Sequence, residues 1–88
     1  MKTIYRQSFE KDLLAIKDKG TLSRIKLILS SVEDASKFSD IPNLKKMKGH
    51  KVAYRIRVGD FRLGFFFENN TVEFVAAKNR KDIYKGFP

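Results

Sequence analysis

Five side chains in the second half of this 88-residue sequence could do chemistry on a phosphate: Arg55, Arg57 and Arg62 in the run KVAYRIRVGDFRLGFFFE, and Arg80 and Tyr84 in NRKDIYKGFP. Arginine is permanently charged, and its planar fork of donors matches phosphate oxygens. Several arginines on one surface therefore clamp a phosphodiester and stabilise the charge that builds on it in a pentacoordinate transition state. A tyrosine beside them adds a ring on which a base can stack, or a hydroxyl for proton transfer. The set suits metal-free cleavage of RNA, in which the neighbouring 2′-hydroxyl attacks phosphorus, one group takes its proton and another protonates the leaving 5′-oxygen. The proton acceptor is left open. Arginine, with a pKa above about 12, cannot serve. His50, the one histidine, is the candidate general base, since imidazole titrates in the useful range. Tyr84, Lys48, Lys51 and Glu73 are the other side chains that could exchange a proton.

These residues meet only if the chain folds as its patterning dictates. Lys51 to Glu68 divides at Gly59-Asp60 into two alternating arms, the signature of a two-residue β-hairpin turn in which Gly supplies positive φ. Val52, Tyr54, Ile56 and Val58 share one face with Phe61, Leu63, Phe65 and Phe67. A two-residue turn sets Val58 opposite Phe61, Arg57 opposite Arg62 and Arg55 opposite Gly64. Facing arginines repel by about 0.2–1 kcal/mol, and an anion between them removes the repulsion. Asn69-Asn70 is a second turn signal. Pairing outward from it predicts Phe67 opposite Val72, Phe65 opposite Phe74, Leu63 opposite Ala76, Arg62 opposite Ala77 and Gly64 opposite Val75, leaving a low, small-residued floor beside the arginines. The third arm, Thr71 to Lys78, returns toward Gly59-Asp60, so Arg80 emerges beside Arg57 and Arg62. Asn79 is expected to cap a helical turn that puts Arg80 and Tyr84 on one side.

In the first half, Thr3 to Arg6 reads as a strand. Ser8 is the expected N-cap of a helix carrying Phe9, Leu13 and Ile16 on one face, ended by Gly20. Thr21 is the expected cap of a second helix with Leu22, Ile25, Ile28, Leu29 and Val32 at helical spacing. From Ala35 to His50 the periodicity is lost and a loop is expected. The resulting fold class is α+β: two N-terminal helices on one face of an antiparallel sheet, in the order β-α-α-β-β-β with a short C-terminal helical tail. Residues 1–88 read as a single domain whose other sheet face, with Arg55, Arg57 and Arg62, is the working surface.

Composition narrows the partners. Apolar residues make up 42% of the chain, with eight Phe, which supports a packed core. Cysteine is absent, so no disulfide, thiolate metal site or thiol nucleophile can form. No His and carboxylate cluster has metal-ligand spacing, no Gly-rich phosphate loop is present and no Ser-His-Asp set can be assembled, so neither metal nor cofactor is expected. No apolar run approaches the roughly 18 residues of a membrane span, which makes a cytoplasmic protein the expectation. The net charge of +9 is divided as +2 over residues 1–44 and +7 over residues 45–88. Such an imbalance favours a polyanion. Lys45, Lys46, Lys48, Lys51 and Lys81 join Arg55 as candidate RNA contacts, and an open sheet with basic and aromatic side chains suits single-stranded RNA.

The run YRIRVGDFRLGF, preceded by LKKMKG and followed by NRKDIYKGF, resembles the RelE/ParE superfamily of type II toxins, and most closely its RelE-like messenger-RNA endonucleases. The resemblance covers essentially the whole chain, element order included. It implies an endoribonuclease that cleaves messenger RNA in the ribosomal A site and is silenced by a cognate antitoxin. By position, Arg62 resembles the family's transition-state-stabilising arginine, Arg80 the arginine that acts as acid or charge stabiliser, and Tyr84 the tyrosine near the substrate base. Arg55 and Arg57 stand where some members have lysines. Arginine keeps their charge but is a poorer proton acceptor, so two alternatives stay open: a ParE-like inhibitor of DNA gyrase, and a basic RNA- or antitoxin-binding module without activity.

Overall fold

The computed structural model describes residues 1–88, with the elements β1 (Lys2–Tyr5), α1 (Gln7–Ala15), α2 (Lys19–Asp34), a 3₁₀ turn (Phe38–Asp40), β2 (Leu44–Lys46), β3 (Ala53–Val58), β4 (Phe61–Glu68), β5 (Thr71–Asn79) and α3 (Ile83–Gly86). The strands form one sheet in the order β1-β5-β4-β3-β2, with β1 parallel to β5 and the other pairs antiparallel. The α+β class and the helix pair on one sheet face are as expected, but the sheet is mixed and not wholly antiparallel, because β1 joins it through the helical connection and not through a tight turn, which lets it lie parallel to β5. The sheet has one strand more: β2 lies inside the stretch expected to be loop, held to β3 by Leu44–Ile56, Lys45–Arg55 and Lys46–Tyr54 pairing. Three residues carry too little alternation to announce a strand.

Both turns form as the sequence predicts. Gly59 has φ +59° at the first central position of the β3–β4 turn, the type II′ pattern. Asn69 and Asn70 both take positive φ (53° and 56°), the type I′ pattern that matches strand twist. The β3–β4 register follows from its turn, with Val58, Arg57 and Arg55 opposite Phe61, Arg62 and Gly64. From the second turn, Phe67–Val72 and Phe65–Phe74 also pair as expected, but a bulge between Gly64 and Phe65 then shifts the register. Leu63 faces Ala77, not Ala76; Arg62 faces Lys78, not Ala77; Gly64 faces Ala76, not Val75. The bulge leaves the extra residue unpaired and keeps Leu63 and Ala77 together in the core.

The helices differ from expectation at their ends. Ser8 does not cap α1; its Oγ donates to the Val75 carbonyl at 2.6 Å, and the N-cap is Arg6. The helix stops at Ala15, and Gly20 belongs to α2. The cap of α2 is Asp18, not Thr21: Oδ2 of Asp18 accepts from Thr21 N at 3.0 Å and Thr21 Oγ1 at 2.6 Å. Those bonds hold the Asp18 carboxyl below its ordinary pKa. Where β5 runs past β1, α1 takes the place of a neighbouring strand. Ser8 and Asp12, four residues apart on one helix face, satisfy the β5 backbone, Asp12 accepting from Ala77 N at 2.9 Å.

The main core lies between the helices and the sheet and is built on Phe9, Ile25, Val32, Ile56, Leu63, Phe65, Val72 and Phe74. A smaller cluster of Met47, Ala53, Ala76, Ile83 and Phe87 sits on the opposite sheet face. The floor expected to lie open beside the arginines is therefore partly covered by the chain's own C-terminal segment, because Gly64, Ala53 and Ala76 leave room for Ile83 and Phe87.

Candidate functional site

A polar cleft of about 400 Å3 opens at the Gly59-Asp60 end of the sheet, lined by Asn43, Leu44, Lys45, Arg55, Arg57 and Arg62. Register brings these cations together: Arg57 pairs with Arg62 across β3–β4, and Lys45 with Arg55 across β2–β3. The Arg80 amide donates to the Asp60 carbonyl at 2.8 Å, which ties the residue after β5 to the same turn. Arg62 is the best-anchored member, since its Nη1 donates to the Gly59 carbonyl at 2.8 Å and the Phe61 carbonyl at 2.9 Å. Burial, then the charges of Arg55, Arg57 and Arg80, push its guanidinium below the ordinary arginine range, with Asp60 opposing. It stays charged at neutral pH, with Arg55, Arg57 and Arg80 within electrostatic range of it.

Tyr84 is 63% exposed on α3, and Arg55 Cζ lies 5.2 Å from its ring centroid. This cation–π contact joins the tyrosine to the arginine cluster. Asn79 does not open the helix: its Oδ1 accepts from Lys81 N at 3.0 Å in a turn, and α3 starts only at Ile83. Arg80 and Lys81 are thus presented from that turn, exposed, and not from a shared helix face with Tyr84.

The remaining residues singled out in the sequence are dispersed. Lys45 lines the cleft, whereas Lys46 pairs with Tyr54 on the helix-covered side. Lys48, His50 and Lys51 lie in the β2–β3 connection, at the end of β3 away from Arg57. Ala53 and Arg57 are about 13 Å apart at the ordinary rise of a strand, and His50 lies beyond Ala53. Glu73 is engaged by Arg6 at 2.8 Å and 3.2 Å. Neither imidazole nor carboxylate lines the cleft.

Sequence reasoning missed three neighbours. Lys78 faces Arg62 because of the bulge, but its Nζ is paired with Asp12 at 3.0 Å. A cavity of about 470 Å3 beside that pair holds no phosphate clamp, since its lining mixes Asp12 and Asp82 with Lys78 and Lys85. Arg24 reaches from α2 to the turn, its Nη1 3.1 Å from where a Cβ on Gly59 would stand. Asn43, whose φ is +57°, closes the cleft before β2. No local pattern announces these contacts. No three-group His, Asp or Glu cluster suits a metal ion, and no helix is long and apolar enough to cross a membrane.

Known proteins share this architecture. No family model matches the chain. Toxin RelE3 of Methanocaldococcus jannaschii is 36% identical over 89 residues, covering all of both chains. Among solved structures, the RelB-RelE antitoxin-toxin complex from Methanococcus jannaschii matches 97% of this chain and 99% of its own at TM-score 0.82 and 33% identity. The YoeB dimer from Staphylococcus aureus matches 91% and 97% at TM-score 0.71 and 18% identity, a likeness of fold.

Proposed function

This chain belongs to the RelE family of type II toxin–antitoxin toxins, and from that premise we propose that it is an endoribonuclease that cuts messenger RNA in the ribosomal A site and is held inactive by a cognate antitoxin. One observation carries the reading: Arg55, Arg57 and Arg62 line a single cleft, with Arg80 tied to the adjoining turn through Asp60 and the Tyr84 ring against Arg55. The 2′-hydroxyl attacks the adjacent phosphorus, the bond from phosphorus to the 5′-oxygen breaks, and a cyclic 2′,3′-phosphate is left. The arginines stabilise the dianionic phosphorane between these events, with Arg62 fixed for that task by its two backbone bonds. Tyr84 and Lys45 are the side chains at hand to exchange the 2′-hydroxyl and 5′-oxygen protons. Rate acceleration rests chiefly on charge and orientation. Lys48 and Lys51 add phosphate affinity from the other end of β3.

Primer extension on a defined messenger RNA, with purified antitoxin-free protein and with or without programmed ribosomes, tests the proposal. Cuts that require ribosomes and vanish in Arg62→Ala are expected. Folded protein that leaves the message whole on ribosomes overturns it.

A further inference from the structure

We infer that Phe87 is a positioning residue: seated on the bare backbone of Gly64, it fixes Tyr84 against Arg55 at the mouth of the cleft. The inference rests on the nuclease reading for its catalytic consequence and on geometry alone for the placement. Gly64 is buried at the middle of β4, directly opposite Arg55 on β3. A Cβ at Gly64 would stand 2.6 Å from Cδ2 of the Phe87 ring, 2.8 Å from Cγ and 2.9 Å from Cε2. No residue with a β-carbon fits there unless the ring moves, because the obstacle is a ring that is itself only 2% exposed. Phe66 packs on its flank with ring centroids 5.3 Å apart.

The consequence passes to Tyr84 through a short piece of chain. Phe87 N donates to the Ile83 carbonyl at 3.0 Å, closing the single turn of α3. Ile83 is fully buried in the same small cluster as Phe87. Tyr84 therefore lies between two anchors while itself making no hydrogen bond and remaining exposed. Its one specific contact is the Arg55 guanidinium, which springs from the residue paired with Gly64. Seating the Phe87 ring on Gly64 thus sets the Tyr84 ring beside the neighbouring strand position. Exposed side chains on a four-residue helix have little else to fix them.

Phe87 belongs to the cluster opposite the main core, so its loss should spare the body of the fold. The test compares Phe87→Ala, Gly64→Ala, their double variant, Phe87→Leu and Tyr84→Ala by two readouts. The first is the ring-current displacement of the Arg55 side-chain resonances, which Tyr84→Ala removes. The second is single-turnover cleavage on programmed ribosomes, with binding of a 2′-O-methyl RNA measured separately.

Phe87→Ala and Gly64→Ala are each expected to abolish the Arg55 displacement and slow cleavage toward the Tyr84→Ala rate, by about 10²-fold, with RNA affinity changed less. The double variant should be no worse than either single one, because both remove the same interaction. Phe87→Leu, which keeps an apolar side chain on Gly64, should restore both signals. An unchanged Arg55 displacement in Phe87→Ala, or cleavage at the wild-type rate once the displacement is abolished, overturns the inference. Should the wild-type chain cut nothing, the nuclease reading falls by itself, and the Arg55 signal still decides whether Phe87 places Tyr84.

Discussion

The two ends of β3 carry similar charge but hold it differently. At the Gly59-Asp60 end, Arg55, Arg57 and Arg62 project from paired strands, and Arg62 is further tied to two carbonyls. At the other end, Lys48, His50 and Lys51 sit on a connection between strands, with no side-chain bond to hold them. Arginine forks on a paired backbone aim at a fixed point, and the cost of orienting them is met by folding. Lysines on a turn attract phosphates without defining where a reacting atom sits. On the proposed nuclease reading, charge alone draws RNA to a surface, and only the rigid end favours a transition state over bound substrate.

The largest effect is expected for Arg62→Ala. Single-turnover cleavage should fall about 10²–10³-fold, with an unchanged thermal unfolding profile, since no core residue is touched. Arg80→Ala should slow cleavage less, because Arg80 is exposed and held by its backbone amide and not by its side chain; the same assay ranks the two. Lys48→Ala with Lys51→Ala should leave the rate at saturating RNA intact while weakening binding of an uncleavable RNA. The slope of log affinity against log salt should become shallower by about 1.4, or about 0.7 for each phosphate no longer neutralised. A large fall in rate in this double variant would break the contrast between the ends. The smallest effect is expected for His50→Ala, whose single-turnover cleavage rate should match that of the wild type because the imidazole does not line the cleft. A fall of about 10²-fold would instead bring the histidine into the chemistry.

Much of the cluster was legible because its causes are local. Gly59 and the Asn69-Asn70 pair name their turns, and a two-residue turn fixes the pairs nearest to it, which is enough to set Arg57 opposite Arg62. Away from the turn that determinism decays. The bulge at Gly64 keeps Leu63 and Ala77 together in the core; a mid-strand glycine marks such a site but does not say which residue of the facing strand is skipped. Caps behaved similarly: Ser8 looked like a cap, but a β5 carbonyl distant in sequence claimed its hydroxyl.

By itself, then, the sequence determined the two helices, the two tight turns, the apolar alternation that assigns strand faces, and the concentration of positive charge in the second half. These depend on backbone conformational preference and on side-chain periodicity, both of which act over a few residues. The tertiary structure alone decided that β2 pairs at the sheet edge, that Asp12 and Ser8 close the free edge of β5, and that Phe87 returns to lie on Gly64. Each of these joins groups from different elements of the chain, selected because a backbone hydrogen bond or an apolar surface would otherwise be left unsatisfied.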